Sequence, residues 1–194
     1  LLNALFRCLY SSHPLRDDIA GTVDSIARLT PQLLYSCTRA FYAPSNMVLS
    51  VAGKITMEQA VDACRRNGLY RKRAPHTVEW DIPAETGPIP RREARLTMPV
   101  NKPCFGVGYR EPVPDSGDLK RRLLLDMLGD LVAGGLTGLY RRLYDGGLVN
   151  PEFSGDFIAV RGACAVAFTG ESDTPRQVAD MLQAEIERLR REGV

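Results

Sequence analysis

With 194 residues, the chain is long enough for one large domain or two small ones, each with a hydrophobic core. Its 44% hydrophobic and 25% charged residues are ordinary for a soluble globular protein. A formal net charge of +2 is too close to neutral to indicate a nucleic-acid or membrane partner, so we expect neither. No apolar run approaches the roughly 20 residues of a membrane-spanning helix.

The N-terminal residues and the cysteines indicate where the protein is found. Asn3 and Arg7 interrupt the apolar start, so we expect no signal peptide, and the missing initiator Met indicates a piece of a longer protein. The five cysteines are widely spaced, without a C-x-x-C pair, and favour free thiols in a reducing compartment over disulfides. We therefore expect a protein of a reducing compartment.

Helical patterns dominate the first part of the chain. Residues 1–10 carry apolar side chains around most of a helical turn, which predicts a buried helix. After a break and a short helix, Thr30 and Pro31 are a typical cap and first residue of another helix. That helix repeats apolar residues at helical spacing, which predicts one core face: Leu33, Leu34, Cys37 and Phe41.

A strand and a further helix are predicted next. Pro44 ends the preceding helix, and the run MVLSVAG, residues 47–53, predicts a central strand that turns away at Gly53. Thr56 and Gln59 have the spacing of a capping box, which predicts the following helix. We interpret the order helix, strand, helix as an α/β unit.

A proline-rich linker divides the chain. Pro75, Pro83, Pro88 and Pro90 lie within residues 74–92, a density that prevents a helix or a central strand. Beyond it, three runs predict strands: EARLTMPV, KPCFGVGYREPV and GDFIAVRGACAVAFTG, the last of which contains two. Three runs predict helices: DLKRRLLLDMLGDLV, LTGLYRRLYDGG and TPRQVADMLQAEIERLRR. The first of these helices is amphipathic, with an apolar side made by Leu123, Leu124, Met127, Leu128 and Leu131.

The two halves of the chain contain similar stretches. VLSVAGKITMEQAVDAC and VAFTGESDTPRQVADML both give a strand, a glycine, a short loop, a Thr-initiated capping box and a helix. One interpretation is a duplicated architecture on either side of the linker; the other is that any α/β protein repeats such units. The residues alone leave both open.

Motifs of a self-contained active site are absent from the sequence. There is no G-x-S-x-G elbow and no G-x-x-x-x-G-K-[ST] loop. His13 and His76 have no second ligand nearby in sequence, so we assign no metal ligand and no catalytic residue. Gly106 and Gly108 lack the third glycine of a dinucleotide-binding loop. Glycines on a strand indicate the close approach of another backbone, either a neighbouring element or an extended peptide.

The segment RRNGLYRKR, from Arg65 to Arg73, contains five basic residues within nine. A solvated helix end is the ordinary interpretation, and a patch for an anionic ligand is the alternative. The role of this segment stays open at the level of sequence.

An ordered series of short motifs runs from residue 13 to residue 53. Its members are His13-Pro14, Ile19-Ala20-Gly21, Thr30 with Leu34, Tyr42-Ala43-Pro44-Ser45-Asn46-Met47, and Gly53. In this order they resemble the insulinase/pitrilysin family of zinc metallopeptidases, the inverted zincins, which include the mitochondrial processing peptidases. Past the linker, residues 98–149 resemble the opening of the family's second homologous domain. The Ile-Ala-Gly-Thr run is most similar to the cytoplasmic bacterial, processing-peptidase-like branch.

The resemblance implies a zinc-dependent peptidase whose metal site lies outside this chain. The family's chemistry depends on an H-x-x-E-H helix and a distant glutamate ligand, both N-terminal to the matched region. No H-x-x-E-H occurs here. We therefore expect zinc in the full-length parent and none in this fragment, and FYAPSNMVLSVAG is interpreted as scaffold. The expected partners are a peptide or unfolded protein substrate and a paired homologous subunit or homodimer.

The chain departs from many active relatives at two positions of the second domain. Those relatives use an arginine and a tyrosine to help hold the substrate carbonyl, whereas Gly138 falls at the arginine and Asn150 near the tyrosine here. Arg141 and Arg142, one turn later, are the candidates to replace the arginine. Two tyrosines are interpreted as packing residues: Tyr140 and Tyr144. The parent is then either a divergent peptidase or a non-catalytic partner of one.

We therefore expect an α+β fold of the α/β sandwich type, with parts of two homologous domains, each a mostly antiparallel sheet with helices on one face. The predicted boundaries are 1–73 for the end of the first domain, 74–92 for the linker and 93–194 for the beginning of the second, non-metal domain. The leading hypothesis is a scaffold and substrate-cleft segment of a zinc metalloendopeptidase. The alternatives are a non-catalytic homologue that binds peptides or a partner subunit, and a module that binds anionic ligands through Arg65 to Arg73. The candidate cleft residues are Phe105, Gly106, Gly108, Tyr109, Arg141 and Arg142.

Overall fold

The computed structural model describes residues 1–69, 78–83, 85, 87–113 and 118–193. Within these ranges the helices are α1 (Leu2–Leu9), α2 (Val23–Ala27), α3 (Pro31–Phe41), α4 (Met57–Arg66), α5 (Leu119–Ala133), α6 (Gly138–Asp145) and α7 (Pro175–Glu192). The strands are β1 (Cys104–Arg110), β2 (Ser154–Val160) and β3 (Ala163–Glu171). The chain forms two compact units: Leu1–Ile19 with Ile82–Val194, and Ala20–Asp81.

The larger unit is built on a three-stranded antiparallel sheet of order β1–β3–β2. The central strand β3 starts with six buried residues, ACAVAF, an apolar run suited to a strand covered on both faces. β2 and β3 form a hairpin whose turn contains Gly162 at φ +80°, a left-handed conformation that favours glycine.

Helices cover both faces of this sheet. Side chains alternate between the faces along β3, so Val166 and Phe168 lie opposite to Ala163 and Ala165. The face of Val166 and Phe168 forms the main core with α5, α6 and α7, whose buried residues include Val132, Leu139, Leu143, Val178 and Leu182. The face of the alanines packs against α1, which contributes Phe6, Leu9 and the adjoining Tyr10.

The predicted α+β class is confirmed, but the helices of this unit lie on two faces instead of one. The physical reason is the small side chains on one face, which leave room for α1. A Cβ atom added at Gly108 would lie 2.9 Å from Cδ1 of Leu9. This packing also places the first 19 residues with the sheet, whereas the predicted boundary grouped them with residues 20–73. The assignment of the units to homologous domains stays a prediction.

The smaller unit contains α2, α3 and α4, and the caps expected from the sequence begin two of these helices. Oγ1 of Thr30 accepts the backbone N–H of Leu33 at 3.2 Å, and Pro31 occupies the first position of α3. Thr56 and Gln59 form the reciprocal capping box of α4. These local contacts follow from neighbouring residues and need no tertiary partner.

Two strands predicted from apolar runs are not formed. Residues 47–53 and 93–100 belong to no strand, and in the first run the side chain of Val48 is 93% exposed. A strand exists only through pairing, and neither run has a partner strand among the described residues. The predicted core faces also differ. The residues expected to be buried on α3 are exposed, and the buried residues of α5 are Gly129, Val132 and Ala133 in place of the predicted leucines and Met127.

Candidate functional site

Four of the six candidate cleft residues lie on β1, and helices cover their side chains on both faces. Phe105 is buried in the main core, where its ring stacks on Phe153 with 6.0 Å between centroids. The hydroxyl of half-buried Tyr109 donates to Oε1 of Gln183 on α7 at 2.8 Å, and burial raises the pKa of this tyrosine. Gly106 and Gly108 face Leu5 of α1. The sequence predicted that either a neighbouring element or an extended peptide approaches these glycines, and the structure places a neighbouring element, α1, against them.

The outer edge of β1 is the part of this strand that stays open. At one end of the β1–β3 ladder the N–H of Ser172 donates to the carbonyl of Pro103, and at the other end the N–H of Glu111 donates to the carbonyl of Cys164. Both pairs continue the register of the two strands, so the backbone groups of the odd-numbered residues of β1 point towards β3 and bond to it. By the alternation of an antiparallel ladder, the backbone groups of the even-numbered residues point away from β3. Within the described residues, no strand pairs with this edge. The outward-facing groups belong to Cys104, Gly106, Gly108 and Arg110.

The two candidate arginines on α6 differ in their surroundings. Nη2 of Arg142 donates to Oε2 of Glu185 on α7 at 2.8 Å, and Nη2 of Arg188 donates to Oε1 of the same carboxylate at 2.7 Å. These hydrogen bonds, chiefly from Arg188, outweigh the effect of burial and lower the pKa of Glu185. Both arginines are exposed, but Arg142 links α6 to α7 through Glu185.

The other residues compared with active relatives make structural contacts. Nδ2 of Asn150 donates to Oε2 of Glu171 at 3.0 Å. Tyr140 stacks between Phe153, at 6.5 Å, and Tyr144, at 5.8 Å. Tyr140 packs against the main core, in keeping with its interpretation as a packing residue, whereas Tyr144 is 47% exposed and contacts Tyr140 only from outside that core.

A buried carboxylate that sequence reasoning missed lies at the C-terminal end of α1. The side chain of Glu85 is 3% exposed. Its Oε1 accepts the backbone N–H of Ser11 at 2.7 Å, and its Oε2 accepts those of Ser12 at 2.9 Å and His13 at 3.0 Å. The hydroxyls of both serines also donate to it. Burial alone would raise the pKa of Glu85, but these hydrogen bonds outweigh burial and hold the pKa well below its usual range.

Arg110 and Tyr10 border the same carboxylate. Nη1 of Arg110 lies 3.8 Å from Oε1 of Glu85 and donates to the carbonyl of Leu9 at 3.2 Å. The hydroxyl of Tyr10 donates to the carbonyl of Cys164 at 2.9 Å, and burial raises the pKa of this tyrosine to about 12. These residues line a cleft of about 240 Å³ with Glu111 and the hairpin turn. No sequence motif pointed to it, because Glu85 is more than 70 residues from Ser11 in the chain.

The residues of this region do not fit a zinc site. Nδ1 of His13 accepts the backbone N–H of Leu15 at 3.0 Å, and Nε2 donates to the carbonyl of Arg161 at 2.9 Å, so both ring nitrogens are engaged. Across the described ranges, no group of three or more His, Cys, Asp or Glu side chains is arranged to hold a metal ion. His76 lies outside the described residues.

The structure describes part of the basic segment that runs from Arg65 to Arg73. Arg65 and Arg66 end α4, and Nη1 of Arg66 pairs with Oδ2 of Asp62 at 3.0 Å. The remaining basic residues of this segment, 71–73, lie outside the described residues.

In the part of the chain that is described, no single helix is both long and apolar enough to cross a membrane; α5 and α6 meet those criteria only as a pair bent by 40°.

Comparisons with known proteins agree on one family. Residues 28–194 match the family model of the Peptidase M16 inactive domain. The chain is 34% identical over 179 residues to the uncharacterized zinc protease YmfH of Bacillus subtilis, covering 89% of this chain and 41% of that protein. It also superimposes on the crystal structure of an M16-like peptidase from Alicyclobacillus acidocaldarius with a TM-score of 0.88 and 29% identity, covering 99% of this chain and 46% of that one.

These matches bear out the resemblance to the insulinase/pitrilysin metallopeptidases. The matched region includes the sheet, the hairpin and helices α3 to α7. The chain spans less than half the length of the two relatives. The fold, the family model and the zinc-protease relative together show that this chain belongs to the M16 peptidase family.

Proposed function

We propose that the chain is the scaffold and substrate-cleft part of a cytoplasmic zinc metalloendopeptidase that processes peptides or unfolded proteins. The observation that carries the proposal is the match of residues 28–194 to the M16 inactive domain, supported by a relative named as a zinc protease. Because the described residues do not fit a zinc site and the sequence contains no H-x-x-E-H, the metal ligands and the general base are assigned to residues outside this chain.

The contribution proposed for this chain is to bind the substrate backbone at the outer edge of β1. The outward N–H and C=O groups of Gly106 and Gly108 would pair with an extended peptide, as an added strand does at an open sheet edge. Such pairing reads main chain more than side chain, which suits a peptidase with varied substrates. The exposed Arg141 is proposed to contact the peptide near the start of α6.

The proposal is tested first by zinc content and peptide cleavage, measured for the intact protein and for this chain side by side. We expect about one zinc per molecule and zinc-dependent cleavage in the intact protein, and neither in this chain. Activity lost on chelation and restored by added zinc would support the assignment. An intact protein without zinc or cleavage would contradict it.

The role of the β1 edge is tested by crosslinking. The exposed thiol of Cys104 is labelled with a photoreactive group in a variant of the intact protein without the other cysteines, and a model peptide is added. We expect the peptide to crosslink at position 104. The matched control carries the same label at Asp156→Cys, an exposed position on the opposite edge strand β2. Equal labelling at both positions, or none at 104, would rule out selective pairing at β1.

The alternative is a non-catalytic homologue that binds peptides or a partner subunit. Two points support it: by the resemblance, Gly138 falls where many active relatives have an arginine, and Arg142 is hydrogen-bonded to Glu185. An intact protein that binds peptide or a homologous subunit, without zinc, would establish this alternative.

A further inference from the structure

The second half of the predicted linker is packed along the larger unit. Four contacts hold it. Ile82 lies so close to the hairpin turn that a Cβ on Gly162 would be 2.9 Å from its Cγ2. Glu85 binds the turn at residues 11–13, Nη2 of Arg110 donates to the carbonyl of Gly87, and the N–H of Arg91 donates to the carbonyl of Cys8 at 3.3 Å.

The order of these contacts shows that the segment runs antiparallel to the end of α1. Residue 85 meets residues 11–13, and residue 91 meets residue 8. We call the described residues from Ile82 to Arg91 the strap. The strap lies within the same compact unit as the sheet, so these residues do not act as a free spacer.

We propose that Glu85 is the clasp of this strap: its carboxylate fastens the strap to the turn at residues 11–13, and its removal opens both segments while the sheet stays folded. Three successive backbone N–H groups and two hydroxyls converge on this one carboxylate. Among the hydrogen bonds of the described residues, no other side chain accepts from these three N–H groups.

The strap can open without disrupting the main core, because that core contains no residue of the strap. The largest buried cluster consists of residues from the sheet, α5, α6 and α7 and the adjoining loop, and it includes no residue of the strap. The packing of α1 on β3 depends on apolar contacts of Phe6 and Leu9, which do not require a charge at position 85. Loss of the clasp is therefore expected to be a local event, of the kind that hydrogen exchange resolves.

The experiment is hydrogen exchange measured by mass spectrometry on the intact protein and on its Glu85→Ala variant. We expect amides in peptides covering residues 8–16 and 82–92 to exchange at least about tenfold faster in the variant, with the rates in β3 and α6 unchanged. The matched control is Glu111→Gln, which alters a carboxylate lining the same cleft without touching residues 11–13. That control is expected to leave both peptides as in the unsubstituted protein.

Two outcomes would overturn the proposal. Unchanged exchange in the strap peptides would show that Glu85 does not hold them. Equal acceleration in β3 and α6 would show a global loss of stability in place of a clasp. If Glu85→Ala does not fold, Glu85→Gln, which keeps the shape of the side chain, is measured in the same way and decides between these results.

Discussion

At the scale of single residues, the His-Pro pair has a structural explanation. His13 accepts a hydrogen bond within its own turn and donates one to the β2–β3 hairpin, and so it connects two parts of the chain about 150 residues apart. Pro14 begins the 3₁₀ turn that places the ring. A histidine in this position is explained by its two hydrogen bonds, and no metal is needed to account for it.

The depressed pKa of Glu85 predicts a specific pH dependence of stability. A carboxyl whose pKa is lower in the folded than in the unfolded state stabilises the fold at pH above the unfolded value of about 4.3, and this contribution is lost as the pH falls through the folded value. We expect Glu85→Gln to lower the free energy of opening of the strap and of the turn at residues 11–13 by about 2 kcal/mol at pH 7, because buried N–H donors lose a charged acceptor. Among the described residues, the other charged or titratable side chains near this carboxylate are Tyr10, His13, Arg16, Arg110, Glu111 and Cys164.

Hydrogen exchange in peptides covering residues 8–16 and 82–92, measured for the two proteins between pH 7 and pH 3 and corrected for the intrinsic exchange rate at each pH, tests this expectation. The difference in stability is expected to stay constant from pH 7 to about pH 5 and to shrink below about pH 4. A difference that grows as the pH falls, or none at pH 7, would contradict the assignment. A second measurement on Glu111→Gln separates the contribution of Glu85 from that of its neighbour.

At the scale of the elements, α5 and β2 approach through two glycines. A Cβ added at Gly129 would lie 2.4 Å from the carbonyl oxygen of Gly155, and one added at Gly155 would lie 2.9 Å from Cα of Gly129. Both obstructing atoms belong to the backbone and cannot move as a side-chain tip would. The two glycines therefore determine how closely this helix packs on the sheet.

Gly129→Ala is expected to lower the free energy of unfolding by about 3 kcal/mol, although alanine is the better helix former by about 1 kcal/mol. The matched control is Gly135→Ala, where an added Cβ meets no atom within 4 Å and the change is expected to stay within about 0.5 kcal/mol. Chemical denaturation followed by circular dichroism measures both. Stabilisation by Gly129→Ala would show that helix propensity outweighs packing at this contact.

At the scale of the whole molecule, burial is unevenly distributed. Within the described residues of Ala20–Asp81, Ala43 alone is buried. In contrast, β3, α6 and α7 each contribute residues to the main core whose surface is more than nine-tenths buried. Local stability follows buried apolar contacts, so the two units of this chain differ in stability.

Hydrogen exchange on this chain is expected to show slow amides in β3, α6 and α7 and fast amides throughout α2, α3 and α4. The physical reason is that an amphipathic helix gains most of its stability from packing of its apolar face. Slow exchange in α3 comparable to that in α7 would contradict the expectation. The same measurement on the intact protein shows whether further residues protect the exposed faces of α3 and α4.

Several features depend only on neighbouring residues and could be predicted from the sequence. The caps at Thr30 and Thr56, the helices they begin and the β2–β3 hairpin follow from local residue types, and the ordered motifs from His13 to Gly53 identified the family. These features need only a few residues to specify them.

Other features depend on residues far apart in the chain and could not be predicted from the sequence. The run 47–53 has the composition of a strand but no partner among the described residues, and the face of β1 made by Gly106 and Gly108 is covered by α1. The site at Glu85 arises because residues more than 70 positions apart meet. The sequence shows which side chains can be buried or can form hydrogen bonds. Which residues they contact depends on the pairing of strands and the packing of helices, and these form only in the folded chain.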